Sequence, residues 1–179
     1  IPSNSNLLII DKNAFSYSKI ESISFPPSLT KICEEAFGNC YNLRKIEIPS
    51  NSNLLIIEKN AFSNTQITNI SIPSSLTKIC EYAFENCSNL RKIDIPLNSN
   101  LKTIESCAFS YSKIEEIYFP KSLIELKDEW CYETRNLKKI IISPSNEKFI
   151  FKDDKYLLCK SDINNDEFDI LLFVRRDIK

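Results

Sequence analysis

The residues best able to do chemistry in this chain are its cysteines: there are seven among 179 residues, and there is no histidine. A cysteine nucleophile needs a base, usually histidine, to generate or hold the thiolate. Zinc is disfavoured as well, because the cysteines show no close paired spacing and no histidine can serve as a ligand. The sequence also has no glycine-rich phosphate loop. It therefore predicts no catalytic residue, no metal site and no cofactor.

One acidic segment resembles the start of a calcium loop. Asp162, Asn164 and Asp166 have the spacing of the first three ligands. The pattern then fails, because Glu167 stands where glycine is needed and Phe173 where the bidentate glutamate should be. We predict a polar hairpin turn instead.

A proline that recurs once per repeat marks the coils of the chain. Six prolines follow one another at intervals of 23 or 24 residues: Pro26, Pro49, Pro73, Pro96, Pro120 and Pro144. This period lies in the range of leucine-rich repeats. A second period of 47 residues pairs a cysteine-containing coil with one that carries Asn-Ser-Asn, as at 51–53 and 98–100.

The segment before each proline reads apolar-x-x-apolar-x-apolar, which predicts one short strand per coil, ended by the proline because it cannot donate to a ladder. Strands of successive coils would stack in parallel about 4.8 Å apart. Their alternation turns one set of side chains inward: Ile46, Ile70, Ile93 and Ile117. The other half of each coil carries an Ala-Phe pair, and we expect the phenylalanines to form a stacked core spine. In the sixth coil Trp130 and Cys131 fall on the Ala and Phe positions, so the spine should be repacked there.

The spacing of the coils predicts that the cysteines are structural thiols outside disulfides. Cys33 and Cys80, like Cys40 and Cys87, are 47 residues apart and so about two rungs, roughly 10 Å, from each other, which is too far for a disulfide. We expect Cys40 and Cys87 to pack or to donate weakly to a neighbouring carbonyl.

The period fails after Pro144. Residues 149–151, 156–159 and 168–174 read as three strands, with turns at Asp153-Asp154 and Asn164-Asn165. The predicted organisation is about six coils in residues 1–144, and a β-hairpin unit in residues 145–179 that caps or interrupts the array.

These motifs resemble the BspA-like, or treponemal-type, leucine-rich repeat family: Leu-x-x-Ile-x-Ile-Pro, then Ile-x-x-x-Ala-Phe and Asn-Cys, over nearly all of residues 1–144. Cys33 and Cys80 stand where such repeats often have glycine. The resemblance implies a right-handed leucine-rich-repeat solenoid with a concave parallel β-sheet, short extended or irregular convex segments and a β-hairpin insertion at the C-terminal end. Members are commonly large surface or secreted proteins of bacteria and mucosal protozoa, and several are linked to adhesion.

Composition says less about binding partners and location than the repeats say about the fold. The net charge of −1 argues against nucleic acid, and no apolar run is long enough to insert into a membrane. The N-terminus lacks the regions of a signal peptide. Ile1-Pro2 looks like the end of a preceding coil, and Asp177-Ile178-Lys179 like the start of a following one, so we expect a piece of a larger surface protein.

The outward side chains of the predicted strands form columns on a rigid surface, here called the strand face. Candidate binding residues are those in its outward columns: Arg44, Lys45, Glu47, Asn69, Ser71, Arg91, Lys92, Asp94, Glu116, Tyr118, Lys139 and Ile141. The alternative is a solvated face whose charges neutralise one another. Tyr118 and Ile141 form either an apolar patch that anchors a partner or a surface covered by the C-terminal hairpins.

These observations favour a protein-binding module of a cell-surface or secreted protein that adheres to host extracellular or microbial surface proteins. Two alternatives stay open. The first is an intracellular scaffold, which the cysteines would suit; the second is a structural spacer that self-associates through exposed coil ends. Sequons occur at Asn69 and Asn86, and a glycan on Asn69 would obstruct the strand face.

Overall fold

The computed structural model describes residues 1–164 and 166–174, and the chain forms β-strands but no helix within them. No membrane-spanning helix is therefore present in this part of the chain. Six coils follow one another, and each contributes two strands, one to each of two parallel ladders.

The first ladder is a continuous six-stranded parallel sheet of two-residue strands. Its members are β1 (Ile9–Ile10), β3 (Lys31–Ile32), β5 (Ile56–Ile57), β7 (Lys78–Ile79), β9 (Thr103–Ile104) and β11 (Glu125–Leu126). The second residue is buried in the first five of these strands, whereas in β11 both residues are half-buried. Our expectation of one strand per coil was therefore wrong: the convex segments are extended, as predicted, but they pair from coil to coil. Two residues are too few for alternation to reveal a strand in the sequence.

The second ladder carries the strand face. Its strands are β2 (Ser22–Ser24), β4 (Lys45–Glu47), β6 (Asn69–Ser71), β8 (Lys92–Asp94), β10 (Glu116–Phe119) and β12 (Lys139–Ile142). The isoleucine at the second position of each strand is buried, which confirms the predicted inward set. Outward neighbours on both sides are exposed or half-buried.

Pairing along this second ladder depends on the length of the step between strands. Steps of 23 residues give pairing over three or four residues, as in β2 with β4, β6 with β8 and β10 with β12. The two steps of 24 residues pair less. β8 and β10 share one paired position, and β4 and β6 belong to separate sheets. One added residue thus loosens every second step, and the 47-residue period is a structural pair of coils.

The core spine is a stack of phenylalanine rings. Phe15, Phe37, Phe62, Phe84 and Phe109 follow one another with centroids 4.9, 5.1, 5.4 and 5.6 Å apart and nearly parallel planes. As predicted, the sixth coil repacks the spine: Trp130 meets Phe109 edge-on at 6.5 Å. The stack shields the coil interior along the whole array, since one coil alone could not bury its apolar side.

Each coil makes its turn around the spine with two residues in the left-handed region, at φ between 53° and 61°. The first turn column is Asn13, Glu35, Asn60, Tyr82, Cys107 and Glu129, and the second is Tyr17, Asn39, Asn64, Asn86, Tyr111 and Glu133. Backbone hydrogen bonds tie each turn to the next coil, as from Asn64 N–H to the Glu85 carbonyl at 2.9 Å.

The C-terminal unit is a three-stranded antiparallel sheet of β13 (Phe149–Lys152), β14 (Tyr156–Cys159) and β15 (Ile170–Val174), as the sequence predicted. Its first turn contains Asp153 and Asp154, both with positive φ. Part of the second predicted turn, Asn165, and the predicted coil start at 177–179 lie outside the described residues. Phe149 fastens the sheet to the solenoid by packing its ring 5.8 Å from that of Phe119.

Candidate functional site

The predicted columns of the strand face are in register. Lys92 pairs with Asn69 on one side and with Glu116 on the other, and Glu116 pairs with Lys139. The column toward the strand ends pairs Ser71 with Asp94, and Tyr118 with Ile141. Tyr118 and Ile141 are half-buried, whereas the other candidate residues are exposed.

Ion pairs neutralise most of the charge within and between these strands. Lys45 lies 2.6 Å from Glu47, and Lys92 lies 2.7 Å from Asp94, each pair two residues apart on one strand. The Lys45 ammonium, helped by the Ser24 hydroxyl, lowers the pKa of Glu47. The Asp94 carboxylate raises the pKa of Lys92. Because exposed pairs of this kind contribute little to stability, they do not explain why the charges are there.

Two further pairs bridge neighbouring coils. Arg91 reaches Glu115 at 3.5 Å, and Lys139 reaches Glu116 at 3.2 Å. The result is a pair of bases at the start of β8 (91–92), a pair of acids at the start of β10 (115–116) and a pair of bases at the start of β12 (138–139). Opposite charges therefore alternate over the last three coils of the solenoid.

A depression of about 420 Å³ lies at the loose step between β8 and β10. Arg91 and Lys92 line one wall, Glu115 and Glu116 line the other, and Tyr118 stands at the end. A second depression, of about 350 Å³, lies at the loose step between β4 and β6, with Ile48 on one side and Ser71 on the other. Both depressions lie at loosened steps, and the one between β8 and β10 lies where bases and acids of neighbouring coils meet.

The hairpin unit meets β10 on the side away from the strand face. Phe149 packs against Phe119, the inward neighbour of Tyr118. Tyr118 itself lines the open depression, so its ring stays available at the surface.

The thiols have structural surroundings. Cys33, Cys40, Cys80, Cys87, Cys107 and Cys159 are buried and form no disulfide. Cys40 donates to the Phe15 carbonyl at 2.9 Å and Cys87 to the Phe62 carbonyl at 3.2 Å, as predicted for this turn. Burial raises the pKa of Cys80 to about 11 and that of Cys87 to about 12, so neither is poised as a thiolate.

The calcium-like segment folds on itself. Both the backbone N–H and the side-chain amide of Asn164 donate to Asp162 Oδ1, at 2.9 and 3.0 Å. Among residues 1–164 and 166–174, no group of three or more Cys, Asp or Glu side chains is placed to hold a metal ion.

Sequence reasoning missed the second turn column. Its three asparagines form a ladder in which Asn64 Nδ2 donates to Asn39 Oδ1 at 3.1 Å and Asn86 Nδ2 donates to Asn64 Oδ1 at 2.6 Å. Beyond this ladder stand Tyr111 and, in the neighbouring column, Tyr132, whose exposed rings meet edge to face at 5.7 Å. Alignment of the coils at the Phe position would have revealed the asparagine row.

A model of the BspA type leucine rich repeat region matches residues 8–138 in six copies. No curated protein matches the chain by sequence. Among solved structures, the chain is similar to the pneumococcal vaccine antigen PcpA, with a TM-score of 0.80 and 29% identity over 86% of this chain and 40% of that one.

A leucine rich cell surface protein from Faecalibacterium prausnitzii A2-165 is similar in fold, with a TM-score of 0.63 and 21% identity over 87% of this chain and 47% of that one. A leucine-rich repeat protein from Eubacterium ventriosum follows, with a TM-score of 0.55 and 21% identity over 79% and 37%. The chain therefore spans less than half the length of each of these proteins.

Proposed function

The chain belongs to the BspA-type leucine-rich repeat family, and from this premise we propose that it is a protein-binding module of a cell-surface or secreted protein, which uses its strand face in adhesion. Solenoids of this family generally serve as binding scaffolds. Nothing in the chemistry of the thiols or carboxylates adds a catalytic role, so we assign no enzymatic activity.

The observation that carries the proposal is the depression between β8 and β10. Arg91 and Lys92 face Glu115 and Glu116 across it, and Tyr118 supplies an aromatic ring at one end. Aromatic and arginine side chains are the residue types most often responsible for binding energy at protein interfaces. The rows of charge add specificity, because only a partner with complementary spacing replaces the ion pairs it breaks.

The rest of the strand face extends this contact surface. Its columns run from Arg44 on the second coil to Lys139 and Ile141 on the sixth, on strands held by a stacked core. A surface that is already ordered loses little conformational entropy on binding. The proposed surface location is supported by the similarity in fold to the leucine rich cell surface protein of Faecalibacterium prausnitzii. The adhesive role rests on the resemblance to the BspA-like family.

The direct test is binding of the folded chain to a panel of immobilised mucosal extracellular proteins. We expect the wild type to bind at least one of them. A variant with Lys45, Lys92, Glu116 and Tyr118 changed to alanine should lose that binding while it keeps the wild-type circular dichroism spectrum and unfolding midpoint.

A matched control changes four exposed side chains that flank the first ladder: Leu55, Lys102, Ile124 and Lys127, all to alanine. This variant should bind as the wild type does. If it loses binding while the strand-face variant keeps it, the contact surface lies on the other side of the coils. If the wild type binds none of the panel proteins, the adhesion proposal loses its support.

An intracellular scaffold that uses the same face is a second candidate, and the buried thiols outside disulfides favour it. Thiol titration of the denatured protein, isolated under conditions that block thiol exchange, separates the two candidates. Seven reactive thiols support a reducing compartment, whereas the loss of two or more pairs supports an oxidising one.

A further inference from the structure

Tyr111 occupies a backbone conformation that suits it poorly. Its φ is 58°, in the column where Asn39, Asn64 and Asn86 stand in other coils. Asparagine tolerates this left-handed region, whereas a bulky side chain without a local hydrogen bond is strained there. The ring of Tyr111 remains 48% exposed, so burial does not offset the strain. Tyr17 has the same backbone conformation, so what distinguishes Tyr111 is the second tyrosine ring beside it.

Tyr132, on the next coil, is a second departure from the repeat. Serine occupies its position in three other coils, at Ser16, Ser63 and Ser110, and the Tyr132 ring is 42% exposed. The two tyrosine rings meet at 5.7 Å with an interplanar angle of 82°. The Tyr111 N–H donates to the Tyr132 carbonyl at 2.9 Å, which fixes the two backbones relative to each other. Two aromatic surfaces are therefore held rigidly at the outside of one turn.

Polar acceptors surround the ring pair. Asn86 is the last member of the asparagine ladder: its Nδ2 is used by Asn64, and its Oδ1 receives no hydrogen bond from the residues the structure describes. Glu85 and Glu133 stand on the adjoining coils. Partial desolvation, followed by the neighbouring Tyr132, Glu133 and Glu85, raises the pKa of the Tyr111 phenol, in keeping with their closeness.

We propose that this cluster, made of Glu85, Asn86, Tyr111, Tyr132 and Glu133, binds a neutral sugar unit of a glycan. A pyranose ring has an apolar C–H face, which stacks on an aromatic ring, and a rim of hydroxyl groups, which donate to carboxamide and carboxylate oxygens. Tyr111 and Tyr132 supply the aromatic surface, while Asn86 Oδ1 and the two carboxylates supply the acceptors.

The charge of the cluster decides the class of sugar. Glu85 and Glu133 lie on the coils on either side of Tyr111, and the nearby Arg135 is paired with the Glu133 carboxylate at 2.6 Å. Like charges near a binding site reject an anionic ligand. The cluster therefore selects neutral sugars over sialylated or sulfated ones. This site is separate from the strand face, so its test does not depend on the proposed adhesion.

The test uses the whole chain, made in a bacterial host that does not attach N-glycans, so that Asn86 in its sequon stays unmodified. Binding is measured by saturation-transfer NMR and on an array of neutral, sialylated and sulfated glycans. We expect neutral glycans to bind with a Kd of about 1 mM or tighter. Tyr111→Asn should weaken binding about tenfold or more, which corresponds to the loss of one stacking contact.

Two more variants complete the design. Tyr132→Ser introduces the residue of the sister coils, so the fold is retained, and it should also weaken binding. Tyr17→Asn changes the other left-handed tyrosine of the same column. Gly38 holds the position beside Tyr17 that Tyr132 holds beside Tyr111, so this variant should leave binding unchanged.

The proposal is overturned if no neutral glycan binds at millimolar concentration, or if sialylated or sulfated glycans bind more tightly than neutral ones. Unchanged binding in Tyr111→Asn overturns it as well. If a glycoprotein is retained after its glycans are removed, and Tyr111→Asn abolishes that retention, the cluster contacts protein and the proposal is equally overturned.

Discussion

The side-chain amide of Asn64 donates to Oδ1 of Asn39 across 3.1 Å, and this contact ties two successive coils together at their tightest turn. Both residues have positive φ, at 58° and 61°. Asparagine is suited to this position because its short polar side chain tolerates the left-handed region and still reaches the neighbouring amide. One residue type thus serves the turn and the contact between coils.

Asn64→Ala should lower the free energy of unfolding by about 2 kcal/mol, because alanine is strained at positive φ and two side-chain hydrogen bonds are lost. Asn64→Gly removes the same hydrogen bonds without the strain, and its loss should be about 1 kcal/mol smaller. Urea unfolding followed by circular dichroism measures both. Equal losses in the two variants would show that the backbone conformation carries no cost.

The middle of the phenylalanine spine should be the most sensitive point of the core. Phe84 is fully buried between Phe62 and Phe109, with ring centroids at 5.4 and 5.6 Å. Phe84→Ala removes both ring contacts and leaves a cavity that the rigid coils cannot close, so we expect a loss of about 3–5 kcal/mol. Denaturant unfolding checks this value.

Tyr41→Ala is the matched control for the spine, since Tyr41 is an exposed aromatic residue two coils before Phe84. Its effect should stay within about 0.5 kcal/mol. A Phe84→Ala variant as stable as this control would mean that the coils collapse around the missing ring.

The spine and the inward isoleucines could be predicted because each is repeated in coil after coil at a nearly fixed interval. The outward columns of the strand face followed from the two-residue period of a strand. Both patterns are carried by residue type as well as by position, so a single sequence reveals them.

Other features could not be predicted because their residues share a backbone geometry and not a residue type. The second turn column contains Asn, Tyr and Glu, which have in common only a left-handed backbone. The first ladder has strands of two residues. The loose steps of the second ladder depend on one added residue per pair of coils, and its effect on strand pairing is visible only in the hydrogen bonds. The depression beside Tyr118 follows from that step.

A buried hydroxyl without a partner predicts a stabilising substitution. Ser112 is buried, and its Oγ has no hydrogen-bond partner among the described residues. The Phe109 carbonyl nearby already accepts from Thr134 Oγ1 at 2.9 Å. Ser112→Ala removes the unsatisfied group and should raise the free energy of unfolding by about 1 kcal/mol.

Thr65 stands 47 residues before Ser112, at the same position two coils earlier, and supplies the opposite case. Thr65 Oγ1 donates to the Phe62 carbonyl at 2.9 Å, so Thr65→Val should lower the free energy of unfolding by about 1 kcal/mol. Thermal and urea unfolding of the two variants should move in opposite directions. A destabilised Ser112→Ala would show that the hydroxyl has a partner, such as a buried water.

Alkaline pH should destabilise the solenoid partly through Cys80. Burial, with a smaller contribution from the Glu105 carboxylate, raises its pKa from 9.0 to about 11. The folded chain then holds the thiol proton over a range in which the unfolded chain has released it. Its contribution to stability is complete below about pH 9 and is lost as the pH rises toward about 11.

The measurement is the free energy of unfolding between pH 8 and about pH 11 for the wild type and Cys80→Ala. We expect a shallower decline in the variant. The pKa of Lys78 is raised chiefly by its hydrogen bond to Glu105 and also by the neighbouring Cys80, so the difference between the variants reports the thiol together with its effect on Lys78. Leu97→Ala, at an exposed position that does not titrate, should keep the wild-type slope. If Cys80→Ala declines as steeply as Leu97→Ala, the protonated thiol of Cys80 does not contribute to the alkaline stability of the fold.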